Sequence, residues 1–170
     1  ENLNSLYGEH TLDFDGDLGN AHLFLIHGNT GSGKTTLMDA VSLALFGQTP
    51  RLTEKRGDPE ASTGLIMSRG TARCVAELEF SALSPEGKRE RYRATFAIGR
   101  ARNKPDGNLK KPTRGLDRWE NGQWTHLISS DKNKDYDPVF EKVLQGFSVQ
   151  DFKRAMLLAK CHAPSGFTYI

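Results

Sequence analysis

Eight residues near position 30 have the types and the spacing of a phosphate-binding loop. The segment Gly28-Asn29-Thr30-Gly31-Ser32-Gly33-Lys34-Thr35 fits G-x-x-x-x-G-K-[ST] at every position. Its glycines let successive backbone N–H groups point at phosphate oxygens, and a helix that follows would add its positive dipole end. A lysine at this point brings a mobile charge to the β- and γ-phosphates, and the next hydroxyl is a ligand for Mg²⁺. The pattern therefore predicts a nucleotide site.

We expect this site to hold a nucleotide and Mg²⁺, with Lys34 as the catalytic residue and Thr35 as the metal ligand. The residues expected to contact the nucleotide are Asn29, Thr30, Gly31, Ser32, Gly33, Lys34, Thr35 and Thr36.

The elements around the loop are those that a P-loop requires. Ala21 to His27 is a short, nearly continuous apolar run, which predicts a strand buried on both faces of a sheet. A shorter alternating stretch ends at Thr11 to Phe14, and Asp15-Gly16-Asp17 is typical of a turn. Lys34 to Phe46 has strong helix formers and apolar residues on most sides, so we expect a buried helix that ends at Gly47.

Two hairpins and two helices are predicted further along. Cys74 to Phe80 and Arg91 to Ile98 alternate around a Ser-Pro-Glu-Gly turn, with Val75 or Ala76, Leu78, Phe80, Tyr92 and Phe96 facing inward. Leu116 to Trp119 and Gln123 to Leu127 flank Asn121-Gly122, a two-residue hairpin signal. Asp137 followed by Pro138 predicts a helix start, with an end near Gln145, and Ser148 with Asp151 resembles a capping box that opens another helix.

Composition narrows the class of protein. The 170 residues are 36% hydrophobic and 26% charged, which is typical of a globular domain. No apolar run is long enough for a membrane-spanning helix, and Glu1 to His10 does not resemble a signal peptide. We therefore expect a cytoplasmic protein without a membrane partner. Cys74 and Cys161 share no metal-ligand spacing. The net charge of +2 hides a basic block, Lys88 to Arg114, with ten Lys or Arg against two acidic residues. That block is either a solvated face or a surface for phosphates.

Two other classes of P-loop protein compete. Asn103-Lys104-Pro105-Asp106 matches the guanine-reading motif of GTPases, but a polar segment precedes it and no D-x-x-G follows the loop, so we interpret it as a turn. A small P-loop phosphotransferase would fit in 170 residues, but the predicted hairpins fill the stretch where strands and helices should alternate. After the loop, no apolar run of four ends in Asp, so a second carboxylate for Mg²⁺ is missing.

The chain resembles SbcC-type ATPases along most of its length. The matching segments follow the order of that family. Asn4 to Phe14 looks like its first strands, and Lys34 to Gly47 looks like its helix after the P-loop. Met67 to Thr71 with the A-E-L-E-F strand, and then Arg100 to Gly107, look like its middle, and Phe152 to Ala159 resembles the helix before its Q-loop.

This resemblance implies an α/β P-loop fold, an ABC-type head lobe with a mixed core sheet and an antiparallel β-layer. Residues 1–160 would form the N-terminal lobe, and 161–170 would be an unassigned tail. It also implies hydrolysis only with a C-terminal lobe of the same ATPase and a second head in a homodimer. The implied partners are an SbcD-type nuclease and double-stranded DNA, and the implied activity is ATP-driven processing of DNA ends.

The end of the chain departs from this family. Where the family has a glutamine that touches Mg²⁺, this chain has Lys160, followed by Cys161-His162. An ammonium near Mg²⁺ is unfavourable, because two positive charges about 4 Å apart repel by roughly 4 kcal/mol at an effective dielectric of 20. We therefore expect Lys160 to Ile170 to lie away from Lys34 and Thr35.

Overall fold

The computed structural model describes residues 1–19, 25–49, 64–84, 86–130 and 132–154. Three helices and four strands make up most of the regular structure in these ranges. The helices are α1 (Phe14–Leu18), α2 (Lys34–Phe46) and α3 (Asn133–Val143), and the strands are β1 (Arg73–Leu83), β2 (Arg89–Gly99), β3 (Thr113–Glu120) and β4 (Gln123–Ser130). The strands form one antiparallel sheet in the order β1-β2-β3-β4.

The sheet confirms the predicted hairpins. Side chains alternate along each strand, so that one face of the sheet is buried and the other is open. Ala76, Tyr92 and Phe96 are buried on the inner face as predicted. Asn121 and Gly122 both have positive φ, as a two-residue turn that matches the twist of its strands requires.

Helix α2 covers the inner face of this sheet against β1 and β2. It has the predicted bounds, and Leu43 and Ala44 are completely buried. Gly47 ends the helix in the left-handed conformation, and its N–H donates to the Leu43 carbonyl oxygen at 2.8 Å. Helix α2 therefore connects the glycine-rich loop to the core.

Helix α3 does not begin where the sequence predicted. Its N-cap is Lys132, so Pro138 lies inside the helix instead of at its first position. The complete burial of Tyr136, whose ring stacks on Phe140 at 5.0 Å, accounts for the earlier start. Burying an aromatic side chain contributes more than the one hydrogen bond that proline removes.

The segment before the glycine-rich loop differs from the prediction. The predicted turn at Asp15 to Asp17 is part of helix α1, and no strand ends at Thr11 to Phe14. Of the predicted strand Ala21 to His27, residues 21–24 lie outside the described residues, and Leu25 to His27 form no strand, with Leu25 73% exposed. A strand needs a neighbour for its backbone hydrogen bonds, and no described strand provides one there. The antiparallel β-layer is thus confirmed, while the described residues contain no strand of a mixed core sheet.

The capping box at Ser148 is confirmed. Asp151 accepts hydrogen bonds from the Ser148 N–H at 3.0 Å and its hydroxyl at 2.6 Å, and these bonds lower the pKa of the Asp151 carboxyl. The described part of the helix that follows is 149–154, and the tail from Lys160, with Cys161, lies outside the described residues. Among the helices that the structure describes, none has the length and apolarity to cross a membrane.

Cys74 is a structural side chain. It is completely buried in β1, and burial raises the pKa of its thiol to about 11. The thiol therefore stays protonated at neutral pH.

A buried arginine joins α2, the sheet and α3. Arg114 of β3 is 7% exposed and lies over the ring of Tyr136, 3.7 Å from its centroid. Its guanidinium donates to the Asp137 carboxylate at 2.7 Å and to the Leu45 carbonyl oxygen at 3.3 Å. Arg114 thus binds one of the last carbonyls of α2, where a positive charge also meets the negative end of the helix dipole.

The close approach of Arg114 to Gly47 yields a stability prediction. A Cβ on Gly47 would lie 2.8 Å from Arg114 Nε, and the hydrogen bonds of Arg114 oppose its movement. We expect Gly47→Ala to lower the free energy of unfolding by about 3 kcal/mol, from backbone strain plus overpacking. Gly122→Ala is the matched control, since its φ is also positive but nothing lies within 4 Å of the added Cβ. It should cost about 1 kcal/mol. Urea unfolding measures both, and equal losses would show that Arg114 yields without cost.

Candidate nucleotide-binding site

The glycine-rich loop curls around the ammonium group of Lys34. Lys34 Nζ donates to the carbonyl oxygens of Gly28 and of Asn29, the latter at 2.9 Å, and Ser32 Oγ lies 3.5 Å away. The turn is closed by the Ser32 N–H, which donates to the Asn29 carbonyl oxygen at 3.1 Å. The loop residues 28–32 are exposed, so the site opens to solvent.

Gly33 places the loop at the start of α2. It is the N-cap of that helix with φ near 95°, a conformation that favours glycine. A Cβ there would lie 2.7 Å from Leu6 Cδ2, so the N-terminal segment approaches the loop closely. Next to this contact, Ser5 Oγ and Thr36 Oγ1 are 3.2 Å apart and share a hydrogen bond. Two side chains of the N-terminal segment therefore hold the helix start.

The N-terminal segment also ties the site to the sheet. The Glu1 backbone nitrogen donates to the Val75 carbonyl oxygen at 2.8 Å, and the Val75 N–H donates back to the Glu1 carbonyl oxygen at 3.0 Å. Further along, the Asn4 N–H donates to the Ile66 carbonyl oxygen at 2.7 Å, and the Ser68 hydroxyl donates to the Asn4 carbonyl oxygen at 2.9 Å. The loop is thus fixed relative to β1 through residues 1–8.

Thr35 and Thr36 differ in what their hydroxyl groups contact. Thr36 is buried and its hydroxyl is engaged by Ser5, so only its backbone N–H is suited to a ligand. Thr35 is partly exposed, and no described residue hydrogen-bonds its hydroxyl. This arrangement fits the requirement of Mg²⁺ for an oxygen ligand beside the phosphates. Among the described residues, no cluster of three His, Cys, Asp or Glu offers another metal site.

Sequence reasoning found the loop but missed its supports. Ser5 and Leu6 carry no local signal, because a serine and a leucine near the N-terminus fit many roles. Arg114 was assigned only to the basic block, yet it is buried against α2 and α3. A Tyr-Asp pair at 136 and 137 also gave no indication of this contact.

The rest of the basic block is divided between β2 and the connection from Arg100 to Lys111 that joins β2 to β3. Arg89, Arg91 and Arg93 alternate along β2 on the open face of the sheet. Arg91 pairs with Glu79, and Arg93 pairs with Asp117 at 2.7 Å. The motif at Asn103 is a turn as interpreted, with positive φ at Arg102 and Asn103. The guanine-reading interpretation therefore has no structural support.

The fold and the loop together define a P-loop nucleotide-binding domain of the α/β class. Comparison with known proteins is more specific. The family described as AAA domain matches residues 1–159, and the chain belongs to that family.

The resemblance to SbcC-type ATPases is also confirmed. The C subunit of the nuclease SbcCD from Pseudomonas aeruginosa is 36% identical over 171 residues, which is 94% of this chain and 14% of that protein. The protein of the same name from Rhodobacter capsulatus is 34% identical over 172 residues, 94% of this chain and 13% of that protein. A probable DNA double-strand break repair Rad50 ATPase of Aquifex aeolicus is 36% identical over 73 residues, 43% of this chain and 7% of that protein. The chain thus spans a small part of these relatives.

The geometry around Lys34 predicts its effect on nucleotide binding. Replacing Lys34 with Ala removes the charged side chain that the loop encloses, so calorimetry should show at least roughly a hundredfold weaker binding of ATP. Lys142→Ala, at an exposed lysine in the last turn of α3, is the matched control and should bind normally. Unchanged affinity of the Lys34 variant would exclude the loop as the phosphate site.

Proposed function

We propose that this chain is the ATP-binding half of an SbcC-type ATPase that drives the processing of DNA double-strand ends together with an SbcD-type nuclease. The observation that carries the proposal is the glycine-rich loop closed around Lys34 at the start of α2. The similarity of residues 1–159 to an ATPase family supports ATP as the nucleotide. The names of the relatives support the DNA-repair role.

The residues of the loop have separate proposed roles at the bound nucleotide. Lys34 would meet the β- and γ-phosphates, the N–H groups of residues 29–36 would surround them, and Thr35 would supply one ligand to Mg²⁺. When bound, Mg²⁺ neutralises the charge that develops during phosphoryl transfer. The chain lacks the apolar run ending in Asp that would complete the metal site. Hydrolysis would therefore need the C-terminal lobe and a second head.

A self-contained phosphotransferase is less well supported. From 73 to 130 the described strands follow one another as antiparallel hairpins, with only a 3-10 turn at Ala101–Asn103 between β2 and β3. A kinase of this size would alternate parallel strands with helices in that stretch. The observed order favours a β-layer beside a nucleotide site.

These proposed roles predict when ATP is hydrolysed. The isolated chain should bind ATP and release almost no phosphate, because positioning and charge stabilisation account for nearly all of phosphoryl-transfer catalysis. Adding a separately expressed C-terminal lobe should restore multiple turnover, and the same mixture with Lys34→Ala should stay inactive. Sustained hydrolysis by the chain alone would instead support the phosphotransferase.

We further propose that the basic face of the sheet binds double-stranded DNA. Among the arginines of the block, Arg89 and Arg91 on β2 and Arg102 in the 3-10 turn after it are exposed, while Arg114 is buried and is unsuited to the role. Exposed arginines attract phosphates, and an exposed pair such as Arg91 with Glu79 is weak enough to open. Arg93 is half-buried with Asp117 and serves the sheet instead.

Charge reversal tests this surface in the assembled complex. Changing Arg89, Arg91 and Arg102 to Glu should weaken duplex DNA binding and reduce the slope of log affinity against log salt by about one unit for each phosphate that is no longer bound. The matched control reverses three exposed basic residues on the helices, Lys134, Lys142 and Arg154. Fluorescence anisotropy at several salt concentrations gives both slopes. A slope unchanged in the first variant would leave the block as a solvated face.

A further inference from the structure

Both tryptophans of the chain lie together on the open face of the sheet. The chain has two, Trp119 on β3 and Trp124 on β4, and they are direct cross-strand partners. Their ring centroids are 5.1 Å apart with an edge-on angle of 70°. Trp119 remains 41% exposed, while Trp124 is half-buried beneath its neighbours. An exposed ring of this size on a sheet face is not explained by the packing of the core.

Arginines of β2 flank this tryptophan pair. The Arg93 guanidinium lies 4.6 Å from the centroid of the Trp124 ring, and the Arg91 guanidinium lies 5.6 Å from Trp124 and 5.9 Å from Trp119. Within this range a guanidinium is attracted to the face of an indole ring. The aromatic surface is thus bordered by positive charge on the side of β2.

A group of ion-paired side chains lies beside the two tryptophans. Asp117 accepts from Arg93 at 2.7 Å and also contacts His126, its cross-strand partner. Burial acts to raise the pKa of Asp117, but the hydrogen bonds from His126 and Arg93 outweigh it and hold the pKa below its usual range. Arg93 therefore keeps a carboxylate partner and is not available to an outside ligand.

The other two arginines of β2 lie beyond these ion-paired residues along the strand. Arg91 is exposed and pairs with Glu79, and Arg89, two residues further along β2, forms no ion pair with any described carboxylate. Outward-facing residues two apart on a strand are separated by about 6.7 Å, which is close to the spacing of successive phosphates along an extended nucleic acid strand. The face thus presents an accessible indole ring beside two spaced cations.

We propose that Trp119 is a stacking platform for an unpaired base of single-stranded DNA, whose neighbouring phosphates meet Arg91 and Arg89. This inference rests on the proposed DNA function and adds a single-stranded segment, beside the duplex, as a ligand of this face. Aromatic rings beside a line of cations are the combination that binds single strands without regard to sequence, because every base has a π-face. In a duplex the bases are already paired and stacked, so only an unpaired base is available to the exposed indole.

The two tryptophans make the test specific to this site. Because the chain contains no other tryptophan, quenching of its intrinsic fluorescence reports a base that stacks on this pair. We expect a dT oligonucleotide to quench the fluorescence of the 170-residue chain, and a blunt-ended duplex, in which every base is paired, or heparin, to quench it far less. Anisotropy of fluorescein-labelled versions of the two DNAs reports binding anywhere on the chain.

Three variants separate stacking from folding. Trp119→Ala should weaken dT binding by about tenfold, and Trp119→Phe should stay within about threefold because it keeps an aromatic face. Phe147→Ala removes an exposed aromatic ring near the end of α3 and should leave binding unchanged. Circular dichroism confirms that each variant is folded, and a Trp119→Ala variant that is unfolded leaves the decision to Trp119→Phe and to the quenching of the parent chain.

The other outcomes overturn the inference in distinguishable ways. Equal quenching by heparin or by the blunt-ended duplex would mean a surface for polyanions in general. Anisotropy that rises without quenching would place single-stranded DNA elsewhere and would leave the proposed DNA role intact. No binding of dT at low salt would reject the platform, while the fate of duplex binding would still be decided by charge reversal in the assembled complex.

Discussion

The contact of a buried guanidinium with the end of a helix sets the position of the site. Arg114 binds the Leu45 carbonyl oxygen near the end of α2, the Asp137 carboxylate and the face of Tyr136. Leu45 lies in α2, whereas Tyr136 and Asp137 lie in α3. The sheet, α2 and α3 therefore meet at the side chain of Arg114 on β3. Because Asp137 is 57% exposed, this ion pair costs less desolvation than a fully buried one. Arg114 therefore orients α2 without leaving a charge unpaired in the core.

The other end of α2 is held independently. Ser5 contacts Thr36, and Leu6 packs against Gly33, where the loop becomes the helix. A helix of 13 residues is about 20 Å long and stiff, so anchors at both of its ends leave it little freedom. The loop inherits this fixed position, which is what a site for phosphates requires. Its precision depends on residues as far apart in the chain as Leu45 and Arg114, 69 positions.

Local signals predicted the parts of the structure that depend on near neighbours. The spacing from Gly28 to Thr35, the alternation along β1 and β2, and the Asn121-Gly122 turn all rest on backbone rules within a few residues. The start of α3 was wrong because the burial of Tyr136 overrides the proline signal at Pro138.

Contacts between residues far apart in the chain were not predicted, because local sequence patterns do not specify them. Of the strand predicted before the loop, the described residues Leu25 to His27 form no strand, and Leu25 is exposed. An apolar run forms a strand only where a partner strand is present. Nothing in the local pattern of Arg114, Trp119 or Trp124 indicated what each would face, since their neighbours come from other strands and helices. The contacts of Lys34 also affect how a phosphate binds. Its three ammonium protons already meet two carbonyl oxygens and a hydroxyl of its own loop, so an arriving phosphate must exchange with these groups. Weak anions that cannot replace these contacts therefore gain little by entering the loop.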